Sequence, residues 1–196
     1  MQRFFPFLTL ALVLVSVSAE AGVVRGVVDG GRNLRNAPAV VYLSDAKGPL
    51  VKPATNPTMD QHNMTFIPHV LAIQSGTTVD FLNNDEVRHN VFSPDHEKYN
   101  LDTWPMHEIK QRTFDQQGVY TQLCNVHPEM EAFIVVLDTP YFAVTDQDGA
   151  FSIDNVPAGD YTVKVWHEKL RFAKQTVSIT NESPVELAFA TKTRRR

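Results

Sequence analysis

Cys124, His127 and Met130 stand at the spacing C-x2-H-x2-M in "CNVHPEM", and Cys124 is the single cysteine of a 196-residue chain. With no second thiol in the chain an intramolecular disulfide is excluded. That leaves a buried apolar cysteine, an intermolecular bridge or a metal ligand. His89, which closes the stretch "TTVDFLNNDEVRH", adds a second imidazole upstream. A thiolate, two imidazoles and a thioether make a soft donor set. Magnesium and calcium seek oxygen, and zinc prefers a harder fourth ligand or water. Two histidines and a cysteine with a weak axial methionine describe a type 1 copper site. Each residue alone has a plainer reading: Cys124 as a small core hydrophobe, His89 as a surface histidine, Met130 as core. The pattern as a whole is what points to one metal.

Such a set needs rigid support. A ligand at a strand's end is held by the ladder behind it, and ligands on the short turn that follows inherit that rigidity. A site that stays put between oxidation states has a low reorganisation barrier, which suits single-electron transfer. The metal itself would ionise the cysteine. The chain supplies strands where they are needed. Val23 to Val28, Ala39 to Leu43, Thr77 to Leu82, Gly118 to Cys124 and Ala132 to Leu137 are short and rich in β-branched or aromatic residues. So are Ala150 to Ile153, Tyr161 to Trp166 and Gln175 to Ile179. Turn material separates them: Asp29-Gly30-Gly31, Asn83-Asn84-Asp85, Asp148-Gly149 and Pro157 to Asp160. No segment holds a helical period, and Lys98 to Lys110, with Pro105 inside it, is expected to be a loop or a single turn. An all-β protein follows, an antiparallel sandwich or a barrel.

The organisation is not uniform. Residues 55–137 are expected to form one sandwich carrying the ligands, with residues 22–54 and 138–192 on either side. "VTDQDGAFSIDNVPAGDYTVKVWHE" resembles the carboxypeptidase regulatory-like (transthyretin-like) β-sandwich module, and "GVVRGVVDGGRNLRNAPAVVYLSD" resembles the opening strands of the same module. The halves of that module are normally contiguous, so the expectation is a small sandwich split by an inserted one. The alternative is a single elongated sandwich with extra strands. D-x-D-G at Asp146 to Gly149 lacks the later glutamate of a calcium loop and reads as a hairpin turn.

"FIPHVLAIQSGTTVDF", "FLNNDEVRHNVFS" and "GVYTQLCNVHPEM" together resemble the cupredoxins, the plastocyanin and amicyanin group in particular. The short loop with a proline after its histidine is most similar to amicyanin. The resemblance implies a Greek-key sandwich holding one type 1 copper, with His89, Cys124 and His127 as equatorial ligands and Met130 as axial ligand. Asn90 would brace the Cys124 loop by hydrogen bonding. It also implies a blue copper electron carrier with transient redox partners, a c-type cytochrome or a dehydrogenase, and a link to methylamine utilisation. His127 would be the ligand at the solvent edge, and no enzymatic activity of its own is implied.

The remaining features set bounds. "MQRFFPFLTLALVLVSVSAEAG" carries Arg3, an apolar run and Ala19-Glu20-Ala21, the pattern of a cleaved secretory signal over residues 1–21, so a periplasmic protein without stable membrane insertion is expected. A net charge of −4 argues against nucleic acid as a partner. The basic end, residues 193–196, reads as a solvated tail. Met59, His62, Met64 and His69 could be imagined as a second metal site, although their spacing follows no ligand pattern. No nucleophile elbow or phosphate loop occurs. The rival function is a copper carrier or store without a redox circuit, which would hold its ion in an open, exchangeable site. The oligomeric state is not legible.

Overall fold

The computed structural model describes residues 21–192, so the expected signal (apart from Ala21) and the basic tail lie outside the described residues. Sixteen strands and one short helix follow in order. They are β1 (Gly22–Asp29), α1 (Arg32–Asn36), β2 (Val40–Leu43), β3 (Thr58–His62), β4 (Thr65–Ile67) and β5 (Val70–Gln74). Then come β6 (Thr77–Leu82), β7 (His89–Ser93), β8 (Tyr99–Trp104), β9 (Ile109–Phe114), β10 (Gly118–Leu123) and β11 (Glu131–Leu137). β12 (Phe142–Val144), β13 (Ala150–Val156), β14 (Gly159–Trp166), β15 (Gln175–Ile179) and β16 (Val185–Ala190) complete the chain.

Strand pairing divides these elements by sequence region. The central stretch makes two sheets, β5-β11-β10-β7-β8 and β4-β3-β6-β9. The two flanks combine into the other two, β13-β1-β16 and β12-β2-β14-β15. β1 thus lies between strands more than a hundred residues away, antiparallel to β13 and parallel to β16. The close approach at Gly26 is the local reason for glycine there: a Cβ would stand 1.8 Å from the Leu187 carbonyl oxygen.

Side-chain alternation then makes three cores from four sheets. In β11, Ala132, Ile134 and Val136 enter the central core with Phe81, Phe114 and Trp104, while Val135 and Leu137 face the opposite way. In β2, Val41 and Leu43 enter the flanking core with Val24, Val163 and Phe189, and Val40 faces the opposite way. The outward residues meet in a third core, Val40, Val70, Val135 and Leu137, with Tyr42, Phe142 and Trp166 packed against it. "AFIVVL" and "AVVYL" are continuously apolar because both strands are covered on both faces.

Two expectations need correction. Lys98–Lys110 is not a loop: it contains β8 and the start of β9. β8 pairs with β7 across a register irregularity between Asn90 and Phe92, and Asp102 within it has φ 61°. That left-handed residue and the charged neighbours break the alternation by which a strand is recognised. The flank also holds a five-residue helix, α1, which follows Gly31 at φ 56° and buries Leu34.

Candidate metal centre

The ligand-bearing residues converge because β10 lies between β7 and β11. Leu123, the last residue of β10, is registered opposite both Phe92 of β7 and Glu131 of β11. The stretch 124–130 is therefore the connection between antiparallel neighbours, and Met130 N–H donates to the His127 carbonyl at 3.0 Å to close its turn. His89 opens β7 on the adjacent strand.

Among the described residues, His89, Cys124 and His127 form the group of His, Cys, Asp and Glu side chains placed to hold a metal ion, with ligand atoms all within 4.8 Å of one another. Bonds of about 2.0–2.3 Å to one ion hold donor atoms at comparable separations. The two Nδ1 atoms of His89 and His127 lie 3.0 Å apart. His89 Nε2 is 2.7 Å from Asp85 Oδ2. A carboxylate only accepts, so Nε2 carries the hydrogen and Nδ1 presents its lone pair toward His127. Cys124 and Met130 are buried in the central core, His89 is fully buried, and His127 is half-buried. The donor set and its geometry fit a soft ion with one edge toward solvent.

Surrounding groups hold these side chains in place. Asn125 N–H donates to Asn90 Oδ1 at 3.3 Å, joining β7 to the residue after Cys124, and Asn90 Nδ2 donates to Asn100 Oδ1 and to the Asp102 carbonyl at 2.7 and 2.8 Å. Asp85 accepts N–H donors from Asn63 and Met64 at 2.6 and 2.9 Å. Burial pushes the Asp85 carboxyl up, but those amides and His89 outweigh it and hold it below the ordinary carboxylate range. Asn83 ties the same loop down through the Val87 and Trp104 carbonyls, both at 3.0 Å. Asp85 escaped the sequence reading. Its one signal there is a carboxylate four residues before a ligand histidine, in a turn.

The imagined second site does not assemble. Met59 is buried in the central core, His62 is exposed with Nδ1 3.3 Å from the Asn84 carbonyl, and Met64 is half exposed. His69 faces Glu168 of the flank instead, Nε2 to Oε2 at 3.0 Å. His167 is buried and structural, its Nδ1 accepting from the Lys169 and Leu170 amides at 3.0 and 3.1 Å.

Residues 54–137 match the family of copper binding proteins described as the plastocyanin/azurin family. Residues 125–194 match the beta-sandwich domain of ER membrane protein complex subunit 7. That is the description under which the second flank matches, in place of the carboxypeptidase regulatory-like module that its turns resemble. No curated protein matches the chain. Solved structures to which part of the chain is similar include a copper-containing nitrite reductase from Thermus scotoductus SA-01, 29% identical, covering 46% of this chain and 24% of its own, at a TM-score of 0.41. A purple cupredoxin from Nitrosopumilus maritimus is 24% identical over 41% of this chain and 99% of its own, at 0.39. Amicyanin from Paracoccus versutus is 20% identical over 49% and 96%, at 0.40. The chain is an all-β protein that carries a plastocyanin/azurin-type copper-binding domain together with a second β-sandwich.

Proposed function

We propose that the protein is a periplasmic type 1 (blue) copper protein that carries single electrons between larger redox proteins. His89, Cys124, His127 and Met130 would hold the ion, and Asn90 braces the loop that carries three of them. The observation that carries this reading is the approach of two histidine Nδ1 atoms to 3.0 Å beside a buried lone cysteine, in a segment that matches a copper-binding family. When bound, copper supplies a one-electron couple. The chain supplies the rest. Asp85 orients the His89 ring, Asn90 and the 127–130 turn keep the loop in place, and half-buried His127 is the edge where a partner approaches. Exposed Val87 and Val126 provide apolar surface of the kind that brief encounters use.

Residues 55–137 act as the inserted copper domain, and residues 22–54 with 138–192 as the sandwich that frames it. Export through residues 1–21 places it in the periplasm. Transient partners are a c-type cytochrome or a dehydrogenase, and the link to methylamine utilisation rests on the amicyanin resemblance. The test is the visible spectrum and reduction potential of the mature protein loaded with Cu(II), repeated with Cys124→Ser. An intense thiolate-to-copper band that vanishes in the variant is expected. A colourless protein, or a spectrum indifferent to Cys124, sinks the reading. Rapid loss of the ion to a chelator would favour a carrier over an electron shuttle.

A further inference from the structure

His69 joins the ligand loop to the other sandwich. Its ring lies between two acceptors, with Nδ1 3.1 Å from the Glu131 carbonyl oxygen and Nε2 3.0 Å from Glu168 Oε2. The His69 carbonyl accepts from the Phe133 amide at 2.9 Å, and the ring stands edge-on to Phe133 at 5.5 Å and 86°. One residue therefore grips the first and third positions of β11, through ring and main chain together. Glu131 directly follows Met130.

The other end of this contact belongs to the flank. Glu168 follows β14, its side chain is 8% exposed, and Lys169 Nζ sits 2.8 Å from its second oxygen. Trp166, two residues earlier, packs on Phe133 with ring centroids 5.5 Å apart. A carbonyl and a carboxylate both accept only, so each ring nitrogen of His69 faces an acceptor and the contact is directional on both sides. A surface cleft of about 310 Å3 borders Met130, lined also by Met64, His69, Glu131, Glu168 and Lys169. Met130 is itself buried, so the groups that line this cleft take part in fixing where its loop sits.

We propose that Glu168 and His69 are positioning residues for the copper site: the flanking sandwich, acting through Glu168, His69 and the Glu131 carbonyl, sets where Met130 sits. The second sandwich is on this account a part of the metal centre's tuning. The inference rests on the reading of Met130 as axial ligand.

The experiment compares Glu168→Ala with Glu168→Gln in the full mature protein. Glutamine keeps an acceptor oxygen for His69 and removes the charge, whereas alanine removes both. The expected result is a shifted reduction potential and altered visible and EPR spectra in Glu168→Ala, with Glu168→Gln close to the wild type. An unshifted alanine variant overturns the proposal. Equal shifts in both variants also overturn it, because they would report charge acting through space. Val163→Ala weakens the flanking core without touching the contact, and a shift of the same size there would reduce the effect to stability. A second readout needs no metal: amide hydrogen exchange at Met130 and Phe133 should quicken roughly tenfold in Glu168→Ala, and wild-type rates would overturn the proposal. If the wild-type protein shows no thiolate-to-copper band, the copper reading has failed, and the exchange rates alone decide whether the contact holds the loop.

Discussion

The two sandwiches use the same kind of short, apolar-faced strand but treat buried polar groups differently. The central one buries His89, Asn90, Asn83, Gln61 and Gln122 toward the end where its ligand loop lies, besides Gln74, Thr77 and Ser93 elsewhere, and joins most of the first group by hydrogen bonds. The flanking one has few such groups, Thr139, Thr145 and His167 among them, and spends them on its own turns. Buried polar groups cost free energy unless satisfied. The network of Asn83, His89 and Asn90 at the loop end is braced for chemistry. The flank's core is otherwise apolar, which suits a frame.

Replacing one large core side chain in each sandwich is the strongest way to break this contrast. Phe81→Ala and Phe189→Ala each remove a buried ring and should cost about 3–5 kcal/mol in chemical denaturation. Phe81→Ala should also weaken copper binding. Phe189→Ala should leave the visible spectrum of the folded protein unchanged, and a lost band would mean that the flank's core, and not only its Glu168 contact, sustains the site. Asp85→Asn comes next. It removes the carboxylate on His89 and turns an amide NH2 toward one of its N–H donors, so it should weaken copper affinity about 10–100-fold, read by competition titration, and also lower the unfolding midpoint of the metal-free protein.

Acid should act first on the flank. Burial holds the His167 imidazole below its ordinary value of 6.5. The unfolded chain therefore binds a proton that the folded chain resists, and this contribution to stability is complete above about pH 6.5 and falls as pH drops below it. Glu168, held below its ordinary 4.5 mainly by Lys169 and His69 against the effect of burial, adds stability that is lost only at still lower pH. Between pH 7 and 5.5 the unfolding free energy should fall by up to about 1.4 kcal/mol per pH unit. His167→Asn should flatten that slope; an unchanged slope would show that another group titrates. The smallest effect belongs to Arg25→Ala. Its 2.6 Å contact with Glu186 is exposed on both sides and should be worth no more than about 0.5 kcal/mol.

The convergence of the candidate ligands was legible because its signal is local. Three of them share one hairpin connection, so spacing alone places Cys124, His127 and Met130 together, and donor softness narrows the metal. β6 and β15 were legible to the residue, since strict alternation and flanking turns mark their ends. β8 was not, because Asp102 at φ 61° and an edge position remove the period that reveals a strand. His69 is the clearest failure. Beside Met59, His62 and Met64 it invited a metal reading, yet its partners are the Glu131 carbonyl and Glu168, at 3.1 and 3.0 Å and both far along the chain.

By itself the sequence determined an all-β chain, the identity of four soft donors, and two flanks that differ in character from the middle. These follow from periodicity, turn chemistry and ligand type, all of which act over a few residues. Only the tertiary structure decided that β1 completes a sheet with β13 and β16, that Asp85 orients His89, and that Glu168 reaches the ligand loop through His69. Each of those depends on which apolar faces stack against one another, a choice made by burial over the whole chain and written in no single stretch of it.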